Sequence, residues 1–158
     1  MMMLTYRLVR LVETHADSLA SSLLHKVQKS ERTEDYRNVP MDELKGRVRD
    51  IYLHLGAWLL ERGEAEIENR YTQIGARRAY QGVPLSQVVW AIILTKETLW
   101  QFILDESANG RATELLGRQE LLQLIEQFFE RAIYAMTLGY EWAAESHQVS
   151  KAKSKKAG

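Results

Sequence analysis

The chain has 158 residues, 46% of them hydrophobic and 27% charged, with no cysteine, nine glycines and two prolines. That length suits one domain with a substantial core, and the absence of cysteine excludes a disulfide framework, a zinc ribbon and thiol catalysis. Formal net charge is zero, but Lys151, Lys153, Lys155 and Lys156 are concentrated in the last ten residues and leave residues 1–148 at −4; such a body argues against nucleic-acid binding, which concentrates basic charge on one face.

Residues 1–148 therefore read as a single helical domain and 149–158 as a basic tail, expected to be solvated and poorly ordered. The longest apolar run, Val88 to Leu94, has seven residues, where a spanning helix needs about twenty. Arg7, Arg10, Glu13 and Asp17 interrupt the N-terminal stretch, so it does not read as a signal peptide. A soluble, cytoplasmic protein is expected.

Five helices follow from the apolar spacing. The first runs from about Met3 to Lys29, with Leu4, Leu8, Leu11, Leu19 and Ser22 on one stripe. Residues 30–39 have no periodicity and read as a loop. Pro40 opens the second helix, with Asp42 and Glu43 suited to the positive end of its dipole. Leu44, Val48, Ile51, Leu55, Trp58 and Leu59 form its buried face, and Gly63 is its expected stop. The third helix, Glu64 to Gln81, carries Ile67, Tyr71 and Ile74 on one face and stops at Gly82.

Pro84 starts the fourth helix, which continues to about Ser107. It is apolar on more than one side, with Leu85, Val88, Val89, Ile92, Ile93, Leu99, Trp100 and Ile103 in front and Trp90 and Leu94 behind. Asn109 and Gly110 break the chain. The fifth helix, from about Ala112 to His147, buries Leu121, Ile125, Phe128, Ala132, Met136, Gly139 and Ala143, and Gly117 is a point where it could kink or restart. No strand pattern competes. The fold class is all-α: a five-helix bundle with a long C-terminal helix, with a globin-like arrangement as the alternative. That last helix would reach about 50 Å, against a domain width of about twice a 15 Å radius of gyration. It must bend or project, and a second copy is the economical partner. Trp90, Leu94, Leu53 and Leu60 supply spare apolar surface for a homodimer.

Chemistry is sparse. The histidines, His15, His25, His54 and His147, form no metal-ligand spacing, and there is no paired Glu-x-x-His of a di-iron bundle. Glu126 and Glu130 lie one turn apart on the polar side of helix five and read as a solvated face. Phosphate-binding glycine loops and nucleophile triads are absent. No metal, no cofactor and no enzymatic activity are expected. His15, Arg78 and Lys96 fall near the centre of apolar stripes, where charges stay only if paired or solvated. They are candidates for a polar pocket holding an anionic or carboxylate-bearing small molecule. Against this, Arg78 could satisfy a helix C-terminus, Lys96 could snorkel outward, and His15 could be a hydrogen-bonded core histidine. His15 or His54 as an axial haem ligand is an alternative that the spacing does not demand.

The segment Gly75-x-x-Arg78-Ala79-x-Gln81-Gly82-Val83-Pro84-Leu85, followed by Val88-Val89-Trp90 and Leu99-Trp100, resembles the RsbRD N-terminal domain family. Those are helical input domains of bacterial stress-response regulators (RsbT co-antagonist proteins) and of some sensor kinases. The likeness is strongest over about thirty residues, and the flanking helices extend it to most of the chain. It implies a non-enzymatic, dimeric sensory or regulatory domain whose long C-terminal helix passes a signal to a protein partner. Related stressosome input domains have a globin-like fold without haem. The motif positions are Arg78, Gln81, Gly82 and Pro84. Such domains precede a STAS or kinase output module; with the lysine tail in its place, the chain is expected to be a stand-alone relative or a separated input domain.

Overall fold

The structure is a computed structural model that describes residues 2–108 and 112–157. Among these residues there is no strand. Six α-helices follow one another: α1 (Met2–Thr14), α2 (Ala16–Lys29), α3 (Met41–Leu53), α4 (Glu64–Tyr80), α5 (Leu85–Glu106) and α6 (Ala112–Ala157). A 3-10 segment, Glu31–Asn38, precedes α3, and a π-helical turn, Ala57–Glu61, follows it. The side chains of Leu4 and Lys156, and the break expected at Asn109 and Gly110, lie outside the described residues.

The first expected helix is two helices. At His15 the backbone turns to φ −101°, and the ring Nδ1 donates to the Leu11 carbonyl at 2.9 Å, competing with the backbone N–H for that acceptor. The buried positions keep helical spacing across the break but lie one position off most of the expected stripe. Val9, Val12, Ala16, Leu19 and Leu23 are buried, whereas Leu8 and Leu11 are half-buried and Ser22 is exposed. The expected loop at 30–39 is also ordered differently: the Ser30 hydroxyl accepts from Arg32 N, and Thr33 Oγ1 donates to the Val27 carbonyl at 2.7 Å. Gln87 of α5 clamps the segment from outside. Its amide nitrogen donates to the Asp35 carboxylate and its oxygen accepts from Asp35 N, both at 2.8 Å.

The core is built on the expected stripes of α3 to α6. Leu44, Val48, Ile51, Leu55 and Trp58 are buried beneath Ile67, Tyr71 and Ile74 of α4 and Leu121, Ile125, Phe128 and Ala132 of α6. Trp58, Tyr71 and Phe128 touch pairwise at 5.7–6.0 Å between ring centres, tilted or edge to face as aromatic quadrupoles prefer. Helix α6 runs through Gly117 without a break and does not stop at His147. The lysine tail is helical to Ala157, with Lys151, Lys153 and Lys155 exposed. At 1.5 Å per residue its 46 residues span about 69 Å. No helix among the described residues is long and apolar enough to cross a membrane.

Helices α4 and α6 run in the same direction. Glu64, at the start of α4, pairs with Arg131 at 2.7 Å, and Tyr140, further along α6, donates to the Val83 carbonyl just past the end of α4 at 2.7 Å. Where they cross, each presents a glycine to the other's backbone. A Cβ on Gly75 would stand 2.8 Å from the Met136 carbonyl carbon, and one on Gly139 would stand 2.7 Å from that of Thr72. Met136 is three residues before Gly139, and Thr72 three before Gly75, so the two contacts are reciprocal.

Candidate functional site

The motif segment forms the corner between α4 and α5. Gly82 takes φ +74°, a left-handed conformation that only glycine adopts without strain. Gly82 N donates to the Ala79 carbonyl and Val83 N to the Arg78 carbonyl, the paired bonds of a Schellman stop. Pro84 cannot continue α4 and sets the extended entry to α5, where its carbonyl accepts from Gln87 and Val88. Arg78 therefore sits where α4 must end, with its side chain directed inward.

Arg78 is only 2% exposed. Its Nη1 donates to Glu43 Oε1 at 3.1 Å and to Gln81 Oε1 at 2.7 Å. Glu43, in the first turn of α3, also accepts from Arg77 through both carboxylate oxygens, at 3.1 and 3.3 Å, and from the Gln81 amide. The Arg77 hydrogen bonds, working against partial burial and helped by Arg78 and Gln81, hold the Glu43 carboxyl down at about 2. Tyr36, from the 3-10 segment, lies with its ring centre 5.9 Å from the Arg78 guanidinium carbon. Burial pushes its hydroxyl up to about 12, although Arg78 opposes the shift. The corner is thus a part-buried ion cluster, with Arg78 inside and Arg77 at the surface, joining α3, the 3-10 segment and α4.

The three polar residues singled out on apolar stripes do not converge. His15 is exposed, its ring 5.4 Å from that of Phe102. Lys96 pairs with Glu126 at 3.1 Å, near the surface, so Glu126 is an ion-pair partner while Glu130 remains exposed. Beside Arg78 is a cavity of about 60 Å³ lined by neither His15 nor Lys96, far below the ~300–1,000 Å³ of drug-sized ligand sites. The haem alternative gains nothing: His54 is exposed, its backbone N–H closing α3 on the Asp50 carbonyl.

The residue that does line this cavity with Arg78 is Arg47, which the apolar pattern of α3 gave no reason to single out. Burial pulls its guanidinium pKa down, and the positive charges of Arg70 and Arg78 add to the effect. Glu43 and Asp50 oppose it. Glu43, read from sequence only as a favourable charge at a helix start, is the centre of the cluster.

Of the residues considered for a dimer contact, Trp90 is covered by the Arg32 guanidinium at 4.4 Å, and Leu53 and Leu94 are half-buried against the core. Leu60 is half-buried as well. A larger apolar surface lies elsewhere. An open groove of about 940 Å³ between the end of α5 and the start of α6 is lined by Trp100, Leu104, Leu115, Leu116 and Leu122, among others. Leu115 and Leu116 are 37% and 49% exposed, and Trp100 Nε1 is buried with no hydrogen-bond partner among the described residues.

Comparison with known families matches residues 17–151 to the RsbT co-antagonist protein rsbRD N-terminal domain, a regulatory family. No curated protein and no solved structure matches. With the match spanning the chain from α2 almost to the end of α6, and the Schellman corner falling within it, the chain belongs to the RsbT co-antagonist protein rsbRD N-terminal domain family.

Proposed function

We propose that this domain is a cytoplasmic, non-enzymatic input module that works as a homodimer and passes a stress signal to a protein partner along α6. Family membership supports the regulatory role. The observation that carries the mechanism is the reciprocal glycine contact between α4 and α6. Backbone meets backbone there, so a shift of α4 cannot be absorbed by side-chain rotamers and is handed to α6. Helix α6 then continues to Ala157, presenting lysines on its exposed end. The groove around Leu115 and Leu116 is the apolar surface that best suits a second copy, because exposed patches of this kind mark protein contacts.

Light scattering after size exclusion tests the dimer. The wild type is expected at twice 18.3 kDa, with Leu116→Glu giving a helical monomer and Leu94→Glu leaving the dimer intact. A monomeric wild type at about 50 µM refutes the dimer, and loss through Leu94→Glu alone moves the interface to α5. Deleting the gene and following a general-stress reporter tests the pathway; unchanged induction refutes the regulatory reading.

A further inference from the structure

Arg47 is a cation whose two nearest acidic groups are already engaged. Glu43 accepts from Arg77, Arg78 and Gln81, and Asp50 accepts from Arg70 at 3.4 Å and from Trp58 Nε1 at 3.3 Å. The Arg47 side chain, half-buried, makes no hydrogen bond or ion pair of its own among the described residues. It faces the positive charges of Arg70 and Arg78, which lower its pKa along with burial. A guanidinium in that position is stabilised by an anion.

The cavity beside it restricts which anion. Its other walls are mostly aliphatic, Leu23, Val27, Ile74 and Ile92 among them. About 60 Å³ holds several water-sized groups, since one water needs roughly 10–15 Å³ measured this way. Of the two guanidiniums lining the cavity, Arg47 is the one without a hydrogen-bonded carboxylate among the described residues, since Arg78 holds Glu43 at 3.1 Å, so a single carboxylate suffices to engage it. Hydrated phosphate would leave aliphatic walls facing its oxygens.

We infer that the cavity between α2, α3, α4 and α5 binds a short aliphatic monocarboxylate of about two to four carbons, its carboxylate on Arg47 and its chain against Leu23, Val27 and Ile92. Binding would press on the Arg78 cluster from the cavity side, at the end of α4. The inference deepens the input-module reading and rests on it for the meaning of the ligand, but binding is measured independently of any output.

The test is thermal unfolding of the full chain at pH 7 in sodium acetate, propionate or butyrate, against equal sodium chloride and against the matching alcohols. At ten times the dissociation constant the best carboxylate should raise Tm by about 3–5 °C. The alcohols should raise it by nothing, Arg47→Met should abolish the rise, and Arg47→Lys should keep part of it. No rise above chloride, or a rise that survives Arg47→Met, overturns the proposal. Saturation transfer from protein methyls to butyrate protons supplies a second readout on the wild type, should Arg47→Met fold poorly. Absence of transfer overturns the aliphatic contact. A failure here leaves the light-scattering and reporter outcomes untouched, so the two readings fail separately.

Discussion

Replacing Gly139 by alanine tests the contact on which the α4–α6 pairing depends. The added Cβ would lie 2.7 Å from the carbonyl carbon of Thr72 and closer still to its oxygen. Ordinary contact begins near 3.4 Å, and the obstacle is backbone, so the helices must separate by about 1 Å. The shift loosens the neighbouring packing of Tyr71, Ile74, Phe128 and Met136, all buried. A gap of even 100–200 Å³, at ~24 cal/mol per Å³, costs about 2–5 kcal/mol before relaxation. Alanine recovers about 1 kcal/mol through its better helix propensity. The net expectation is a loss of about 1–4 kcal/mol, or a Tm fall of roughly 2–16 °C at this chain length.

Gly46 provides the opposite sign within the same protein. It lies inside α3, exposed, and a Cβ there would meet nothing within 4 Å. Gly46→Ala should therefore stabilise by about 0.5–1 kcal/mol. Urea unfolding followed by circular dichroism at 222 nm measures both. Gly75→Ala should resemble Gly139→Ala, and the double variant should lose less than the sum, because separation for one Cβ makes room for the other. If Gly139→Ala gains stability as Gly46→Ala does, the backbone contact is wrong and α6 is not locked to α4.

Two further outcomes follow from the corner. Glu43 has a folded pKa of about 2 against an ordinary 4.5, so its contribution is complete above pH 4.5 and fades as pH falls towards 2. With solvent screening this amounts to about 1–2 kcal/mol, and Glu43→Gln should flatten that part of the Tm–pH curve. Tyr140→Phe removes the donor to the Val83 carbonyl at 2.7 Å and should cost about 1–2 kcal/mol in urea midpoint analysis; no loss would show that water replaces the hydroxyl.

Much of the architecture was legible because burial follows period. The stripes Leu44–Val48–Ile51–Leu55–Trp58 and Leu121–Ile125–Phe128–Ala132 lie in the core as spaced. Stops were legible where the residue type is itself the mechanism, as with Gly82 and Pro84. Three features were not. The break at His15 is accompanied by a side chain bonding back to Leu11, which no apolar pattern encodes. The 3-10 segment is held by Gln87, 52 residues from Asp35. The tail of α6 lacks an apolar stripe, yet its alanines and lysines are strong helix formers and carry the helix on.

The site divided along the same line. Arg78 stood out as a charge on an apolar stripe, but so did His15 and Lys96, and only Arg78 is deeply buried. What separates them is a carboxylate: Glu43 lies 35 residues from Arg78 and reaches it only when α3 docks on α4. Lys96 meets Glu126 near the surface, and His15 is exposed. Gly75 and Gly139 each weaken a helix interior by about 1 kcal/mol relative to alanine, which hints at close approach without naming the partner.

Once folded, these residues form a continuous route. Gly75 touches α6 one turn before Arg78, Arg78 closes α4, and Val83 accepts from Tyr140 of α6 just beyond it. The ion cluster and α6 therefore share two attachments within nine residues of chain, one of them backbone to backbone. A change at Arg78 that tilted the last turn of α4 would have to slide α6 past Gly75 or break the Tyr140 bond. On the proposed input-module reading, that requirement places the coupling between the ion cluster and the long helix at this corner.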